Sequence, residues 1–217
     1  MKKAAVLLSG CGNMDGSEIH EAVSAIIALD EAGWEILFTA PDTTQKKTVS
    51  YITGKPMEPR NSLEEAARIA RGNIVPLSPE LAEEVDAVVI PGGLGAALTL
   101  CDFALKGADC SALKVVEEFL KRAVKGNKPI GAMCIAPALV ARCIPGASVT
   151  VGTSEETAAR IEKMGCIHVQ SPATEAVTDR EKGIVTTPAY MTAAGPAEVF
   201  RGAVEMVRQL DALVSPS

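Results

Sequence analysis

The chain has 217 residues, of which 47% are hydrophobic and 22% are charged, a composition typical of a globular protein. A formal net charge of −6 and an aromatic content of 3% argue against nucleic-acid binding, which favours basic patches and stacking rings. No uncharged apolar run approaches the ~20 residues that a membrane-spanning helix needs, so we expect no membrane partner. Met1-Lys2-Lys3 leads directly into a short strand without a signal-peptide core. The sequence therefore predicts a cytoplasmic protein, or an organellar one only if a leader has been removed.

The predicted strands and helices alternate along the chain, which indicates a parallel sheet with helices on both faces. The predicted strands are 4–9, 34–40, 86–91, 128–134, 148–151, 167–169, 176–178 and 184–186. The predicted helices are 17–32, 61–71, 111–125, a helix that starts after residue 134, 155–164 and 196–213. No repeat or long linker interrupts this order, so we expect one domain over 1–217.

Six cysteines include no Cys-x-x-Cys pair, and they are interpreted as reduced thiols. The two histidines, His20 and His168, do not form the spacing of a zinc site. We therefore expect neither a metal nor another cofactor.

The carboxyl ends of the predicted strands should hold the active site, because ligands of open α/β sheets bind in the crevice beyond those ends. Four unusual segments follow strands in this way: 10–21, 92–95, Cys134 and 187–190. They are far apart in sequence, and the fold is expected to bring them together.

Cys134 lies where the pattern of strand 128–134 gives way to a helix. A residue held between the end of a strand and the start of a helix occupies a sharp turn, which presents its side chain to open space. Such a nucleophile elbow needs small neighbours two residues away on either side, and Ala132 and Ala136 fill these places. The helix N-terminus stabilises negative charge and favours the thiolate. The sequence therefore predicts that Cys134 is a nucleophile rather than a buried core cysteine.

The acidic residues of segment 10–21 argue against a nucleotide site, although its glycines lie between a strand and a helix. Asp15 stands where the dinucleotide-binding motif needs its third glycine, and Asp15, Glu18 and Glu21 would repel a pyrophosphate. Glu18 opens the helix, where an acidic residue usually complements the helix dipole. Glu21 lies about one turn further in. We expect it to face Cys134 across the crevice, with a raised pKa and the ability to carry protons.

Several motifs resemble the ThiJ/PfpI superfamily, which is related to the class I glutamine amidotransferases. They are the Cys134 elbow, Ile90-Pro91-Gly92-Gly93, and Glu21-Ala22-Val23 with Gly33 twelve residues after Glu21. Further motifs are similar to the ElbB branch, whose members are described as glyoxalases and carry older labels from isoprenoid biosynthesis. These further motifs are Ser9-Gly10-Cys11-Gly12, Asp15-Gly16-Ser17-Glu18-Ile19-His20-Glu21, Ala67-Arg68-Ile69-Ala70-Arg71-Gly72, Met133-Cys134-Ile135-Ala136-Pro137 and Val185-Thr186-Thr187-Pro188-Ala189-Tyr190-Met191.

The resemblance implies a flavodoxin-like α/β sandwich, catalytic roles for Cys134 and Glu21, and a homodimer. It also implies an oxyanion hole formed by the backbone N–H groups of Gly93 and Ile135. The amidotransferases place a histidine after a late strand, but 187–190 contains none. PfpI-type peptidases usually have a histidine where this chain has Ile135. Peptide hydrolysis and glutaminase activity are therefore disfavoured.

A cysteine and a glutamate can together convert a 2-oxoaldehyde without a cofactor. The thiolate adds to methylglyoxal or glyoxal, and the carboxyl group moves a proton between the two carbons, so that hydrolysis yields lactate or glycolate. The predicted function is thus a glutathione-independent glyoxalase. The further candidates for lining the crevice are Cys11, Asp15, Glu18, His20 and Tyr190.

Two other functions remain open from the sequence alone. In the first, Cys134 of a redox or stress-responsive protein is oxidised to the sulfinate and sensed by a partner. In the second, the crevice is vestigial and the protein is a scaffold or an accessory protein in isoprenoid metabolism.

Overall fold

The structure is a computed structural model and describes residues 1–214. Its main sheet has seven strands: β1 (Lys3–Leu7), β2 (Glu35–Ala40), β3 (Val75–Pro76), β4 (Ala87–Ile90), β5 (Ile130–Met133), β8 (Val177–Asp179) and β9 (Ile184–Thr187). A separate pair consists of β6 (Ser148–Val149) and β7 (Ile167–His168). The helices are α1 (Ile19–Glu31), α2 (Ser62–Ile69), α3 (Phe103–Lys106), α4 (Lys114–Lys125), α5 (Ala136–Cys143), α6 (Glu155–Lys163) and α7 (Pro196–Val214).

The strand order of the main sheet is β3-β2-β1-β4-β5-β9-β8. Every neighbouring pair is parallel except β8 and β9, which are antiparallel. The five central strands, β2-β1-β4-β5-β9, follow the 2-1-3-4-5 order of flavodoxin-like folds, whose switch point lies beside the first strand. The predicted flavodoxin-like α/β fold is therefore confirmed. The single domain over 1–217 stays a prediction.

The strands are apolar on both faces because each face is covered by helices. Alternate residues of β1 point to opposite sides: Ala5 and Leu7 pack with α4 and α5, whereas Ala4 and Val6 pack with α1 and α7. Both clusters consist of fully or nearly fully buried side chains. This two-sided packing fixes the carboxyl ends of β1, β4, β5 and β9 at one edge of the molecule.

The observed elements differ from the predicted ones in several places. The predicted strands 148–151 and 167–169 do not join the main sheet but pair with each other as β6 and β7. The two-residue strand β3, the short helix α3 and a π-helical turn at Ala96–Leu100 were not predicted. Segments of two to five residues are too short to establish a periodicity. The helix predicted from residue 111 begins at Lys114 instead.

Candidate active site

Cys134 lies between β5 and α5 with a backbone φ of 59°. This left-handed conformation is rare for a residue other than glycine and costs roughly 1–3 kcal/mol. The Cys134 N–H donates to the carbonyl of Thr187 at 3.0 Å, which ties the elbow to the end of β9. Ala132 and Ala136 are fully buried on either side of the turn. The predicted elbow with its strained backbone is confirmed.

Glu21 lies in the first turn of α1, and its side chain is buried. The carboxyl group accepts hydrogen bonds from the N–H of Gly92 at 2.8 Å and the N–H of Tyr190 at 3.3 Å, and it is hydrogen-bonded to the Cys134 thiol. A Cβ atom added at Gly92 would lie 2.5 Å from the Cys134 Cβ and 2.7 Å from the Glu21 Oε2. Gly92 is therefore required for the close approach of the acid and the thiol.

Burial and, to a smaller extent, the nearby charge of Glu18 raise the pKa of Glu21 to about 7, although the three hydrogen bonds to the carboxylate oppose this shift. Burial and the charge of Glu21 likewise raise the pKa of Cys134 well above its usual value. The backbone N–H groups of Gly93 and Ile135 face the sulfur and lower the pKa of the thiol. The helix N-terminus was expected to favour the thiolate, but burial and the adjacent carboxylate outweigh these two N–H groups, so the pKa of the thiol is raised rather than lowered.

A pocket of about 520 Å³ opens over the Cys134 sulfur. It is lined by residues from all four predicted segments, namely Asn13, Glu18, His20, Gly93, Leu94, Cys134, Ile135, Tyr190 and Met191. His20 reaches it from α1 although it is adjacent to Glu21, and its Nδ1 lies 2.7 Å from the Tyr190 hydroxyl oxygen. Burial raises the pKa of Tyr190, as do the charges of Glu18 and Glu21.

Glu18 is the N-cap of α1 rather than a residue of its first turn. Its Oε2 accepts a hydrogen bond from the Glu21 N–H at 2.7 Å, and its own N–H donates to the Gly92 carbonyl at 3.0 Å. The side chain is half-buried at the pocket wall. Glu18 thus joins α1 to the turn after β4, and it also places a carboxylate in the pocket, whose lining was one of the roles considered for it.

Cys11 and Asp15, which were candidates for lining the crevice, are not among the residues that line this pocket. The Asp15 side chain is buried and accepts hydrogen bonds from Arg60 at 2.8 Å, from the Tyr51 hydroxyl at 3.0 Å and from the Val49 N–H at 3.0 Å. Asp15 therefore anchors the segment 42–61 beneath the loop after β1. The prediction that Asp15 lines the crevice is therefore wrong.

Four residues of the site were not identified individually from the sequence. Gly92, which donates to Glu21, and Asn13, Leu94 and Met191, which line the pocket, all lie in or beside the segments singled out from the sequence. Their position after a strand was the available signal. It identified the loops but not which of their residues face inward.

No cluster of three or more histidine, cysteine or acidic side chains suited to a metal ion exists within residues 1–214. Over the same residues, no helix combines the length and apolar character that crossing a membrane would need.

Comparison with known proteins places these features in a family. The model of the DJ-1/PfpI family matches residues 2–209. The human "glutamine amidotransferase-like class 1 domain-containing protein 3, mitochondrial" is 41% identical over 219 residues, covering 96% of this chain and 82% of the human protein. The "ES1 protein, mitochondrial" of Danio rerio is 31% identical over 86% of this chain and 76% of that protein.

Solved structures show the same fold. The crystal structure of an isoprenoid biosynthesis protein with an amidotransferase-like domain from Ehrlichia chaffeensis has a TM-score of 0.92 at 34% identity, covering 99% of this chain and 100% of that one. Drosophila melanogaster DJ-1beta has a TM-score of 0.58 at 20% identity over 96% of this chain and 90% of that one, so it shares the fold alone.

The similar curated proteins correct one expectation. The sequence predicted a cytoplasmic protein, whereas the human, rat and zebrafish relatives are all named as mitochondrial proteins. The cytoplasmic prediction is therefore wrong.

Proposed function

Because the chain belongs to the DJ-1/PfpI family, we propose that it is a cysteine-dependent glyoxalase that converts 2-oxoaldehydes to 2-hydroxy acids without glutathione or a cofactor. The observation that carries this proposal is the contact between the Glu21 carboxyl group and the Cys134 thiol, with the N–H groups of Gly93 and Ile135 facing the sulfur. The pair supplies a nucleophile and an acid–base group side by side. We further infer an assignment to the ElbB branch, a mitochondrial location like that of the named relatives, and a homodimer.

In the first step, the Glu21 carboxylate takes the thiol proton as the Cys134 sulfur adds to the aldehyde carbon. The carbonyl oxygen becomes an alkoxide, which the N–H groups of Gly93 and Ile135 stabilise by hydrogen bonding. The proton held by Glu21 then passes to this oxygen, which completes the hemithioacetal and returns Glu21 to its ionised form.

In the second step, Glu21 removes the hydrogen of the former aldehyde carbon as a proton, and an enediolate forms whose negative charge lies on the former ketone oxygen. The hydroxyl proton on the former aldehyde oxygen passes to this neighbouring oxygen. The same carboxyl group then donates that proton to the neighbouring carbon, which yields a thioester of the 2-hydroxy acid. Water hydrolyses the thioester and releases the free thiol. No net oxidant or reductant is consumed, because one carbon is oxidised as its neighbour is reduced.

A carboxyl group with a pKa of about 7 suits both steps, because it both accepts and donates a proton near neutral pH. An ordinary carboxylate would be a weaker base, and a cation beside it would weaken it further.

The test is the conversion of methylglyoxal to lactate by the purified protein, compared between wild type, Cys134→Ala and Cys11→Ala. Both cysteines are half-buried, so the two variants remove comparable side chains. We expect Cys134→Ala to have no activity above the buffer rate, and Cys11→Ala to retain that of the wild type. Lactate formation that survives in Cys134→Ala would contradict the proposal.

A second candidate function is favoured by the same two N–H groups, since they can also stabilise the oxygens of a Cys134 sulfinate. The protein would then report peroxide rather than turn over an aldehyde. Stoichiometric addition of two oxygen atoms at Cys134 by peroxide, in a protein that produces no lactate from methylglyoxal, would favour this role. A partner recovered equally well by wild type, Cys134→Ala and Glu21→Gln would favour the scaffold alternative.

A further inference from the structure

The pocket over Cys134 is much larger than the smallest 2-oxoaldehydes. Its volume of about 520 Å³ lies within the ~300–1,000 Å³ of sites that enclose drug-sized ligands. Methylglyoxal is a three-carbon molecule that occupies the space of only a few waters, each of which takes about 30 Å³. A substrate of that size would contact the elbow and leave most of the pocket filled with water.

The wall of the pocket beyond the elbow is apolar. Leu94, Ile135 and Met191 are all half-buried, so each exposes part of an aliphatic side chain to the pocket. They come from three separate loops, after β4, β5 and β9. Water beside these apolar side chains lacks hydrogen-bond partners on the protein. A ligand whose apolar group displaces this water therefore gains about 4-fold in affinity for each buried methylene.

The polar side of the same pocket carries negative charge. Glu18 is the acidic residue among those that line it, no lysine or arginine stands among those lining residues, and the Glu21 carboxyl lies buried behind the Cys134 sulfur. One Glu18 oxygen is held by the Glu21 N–H, which fixes the direction of the carboxylate. A substrate with a carboxylate or phosphate tail would find no lysine or arginine here and would be repelled by Glu18.

We propose that the substrates of this site are 2-oxoaldehydes whose substituent is larger than methyl and mainly apolar, carries no negative charge, and is favoured by Glu18 when it carries a positive one. The inference rests on the proposed glyoxalase function and specifies its substrate class. The aldehyde reacts at Cys134, the substituent lies along Leu94 and Met191, and Glu18, whose carboxylate lines the same pocket, selects the charge of the substituent.

The length of the substituent is tested with the series 2-oxopropanal, 2-oxobutanal and 2-oxohexanal, whose reacting groups are alike. We expect kcat/KM to rise by at least ~10-fold from the shortest to the longest, mainly through KM. Met191→Ala should flatten this rise, whereas Met57→Ala, which removes an exposed methionine outside the pocket, should not.

The charge is tested with phenylglyoxals that carry an amidine, a carboxamide or a carboxylate at the para position. These three groups have nearly the same shape and differ in charge. We expect kcat/KM to fall in that order, by at least ~10-fold from the amidine to the carboxylate. Comparing each compound between variants cancels its intrinsic reactivity. Glu18→Gln, whose amide oxygen can still cap α1, should abolish the dependence of kcat/KM on the charge of the para group. Glu31→Gln changes an exposed residue at the other end of α1 and should retain this dependence.

The outcomes separate this inference from the function on which it rests. Turnover of methylglyoxal with no gain along the alkyl series, or with the carboxylate compound preferred, overturns the substrate class and leaves the glyoxalase function intact. If the dependence of kcat/KM on the charge of the para group is unchanged in Glu18→Gln, Glu18 does not select the charge of the substrate. Absence of turnover with every compound overturns both the function and the substrate class.

Discussion

Two regions on either side of the loop after β1 each bring a half-buried cysteine near a buried carboxyl group. In one region, Cys11 lies within electrostatic reach of Asp15, and in the other Cys134 is hydrogen-bonded to Glu21. Both carboxyl groups are almost inaccessible to solvent. They differ in what surrounds the charge, because Asp15 is paired with Arg60 at 2.8 Å, whereas Glu21 meets only backbone N–H groups, a thiol and a second carboxylate.

This difference separates an acid that is paired with a cation from one that is not. The Asp15 carboxyl group, with a cation and two further donors as partners, holds the chain in place. Without a cation, burial raises the pKa of Glu21 to about 7, so that it exchanges a proton under neutral conditions. The cysteines follow the same division, since only Cys134 has a neighbouring base and two N–H groups aimed at its sulfur. Burial alone therefore does not identify the active site.

The largest effect is expected for Glu21→Gln, which keeps the shape of the side chain but removes its transferable proton. Methylglyoxal kcat/KM should fall by at least about 10²–10⁴-fold, the usual loss when general acid–base catalysis is removed. Glu18→Gln should lose far less with this uncharged substrate, because Gln still caps α1. Steady-state kinetics of both variants check this. Near-wild-type activity in Glu21→Gln together with loss in Glu18→Gln would assign the proton transfer to Glu18 instead.

The pH dependence of stability should also distinguish Glu21. Its ordinary pKa is 4.5 and its pKa in the folded protein is about 7, so the folded state binds the proton more tightly. The resulting stabilisation is fully present below pH 4.5 and is lost as the pH rises through 7, amounting to about 3 kcal/mol. Urea unfolding at pH 4.5 and pH 8 should show this loss in wild type and in Glu31→Gln. The same loss in Glu21→Gln would show that another group is responsible.

A smaller effect on stability is expected for Asp15→Asn. The substitution removes the shorter of the two ion pairs of Arg60 and leaves the pair with Glu65 at 3.5 Å, and since Arg60 is partly exposed the cost should be about 2 kcal/mol. Asp42→Asn provides the matched control, because Asp42 is exposed and should change stability by less than about 0.5 kcal/mol. Chemical denaturation measures both. Equal stability of Asp15→Asn and wild type would remove the structural role assigned to Asp15.

The smallest difference is expected between the alkylation rates of the two half-buried thiols, Cys134 and Cys11. Brief treatment with dilute iodoacetamide, followed by mass mapping, should modify Cys134 first and Cys11 second, because Glu21 accepts the proton of the Cys134 thiol. Cys101, Cys110, Cys143 and Cys166 are buried and should react only after unfolding. Early modification of Cys110 or Cys166 would contradict a specially activated Cys134.

Local patterns were sufficient to predict the elbow and the contact between Cys134 and Glu21. The small residues around Cys134, the apolar strand before it and the position of Glu21 one turn into a helix all depend on neighbours in sequence. Asp15 was misplaced because its partner Arg60 lies 45 residues away, at the end of a segment without apolar periodicity. The raised pKa of Cys134 was also missed, since the effect of the helix N-terminus is local whereas the opposing carboxylate comes from α1.

The most direct test of the account is an infrared titration of the protein, following the carbonyl stretching band of a protonated carboxylic acid. We predict that one such band persists to neutral pH and disappears with a midpoint of about 7, that it is absent from Glu21→Gln, and that it is retained in Asp15→Asn. A wild-type protein without this band at pH 6, or a Glu21→Gln variant that still shows it, would contradict the central claim that Glu21 is the buried acid which exchanges a proton with Cys134.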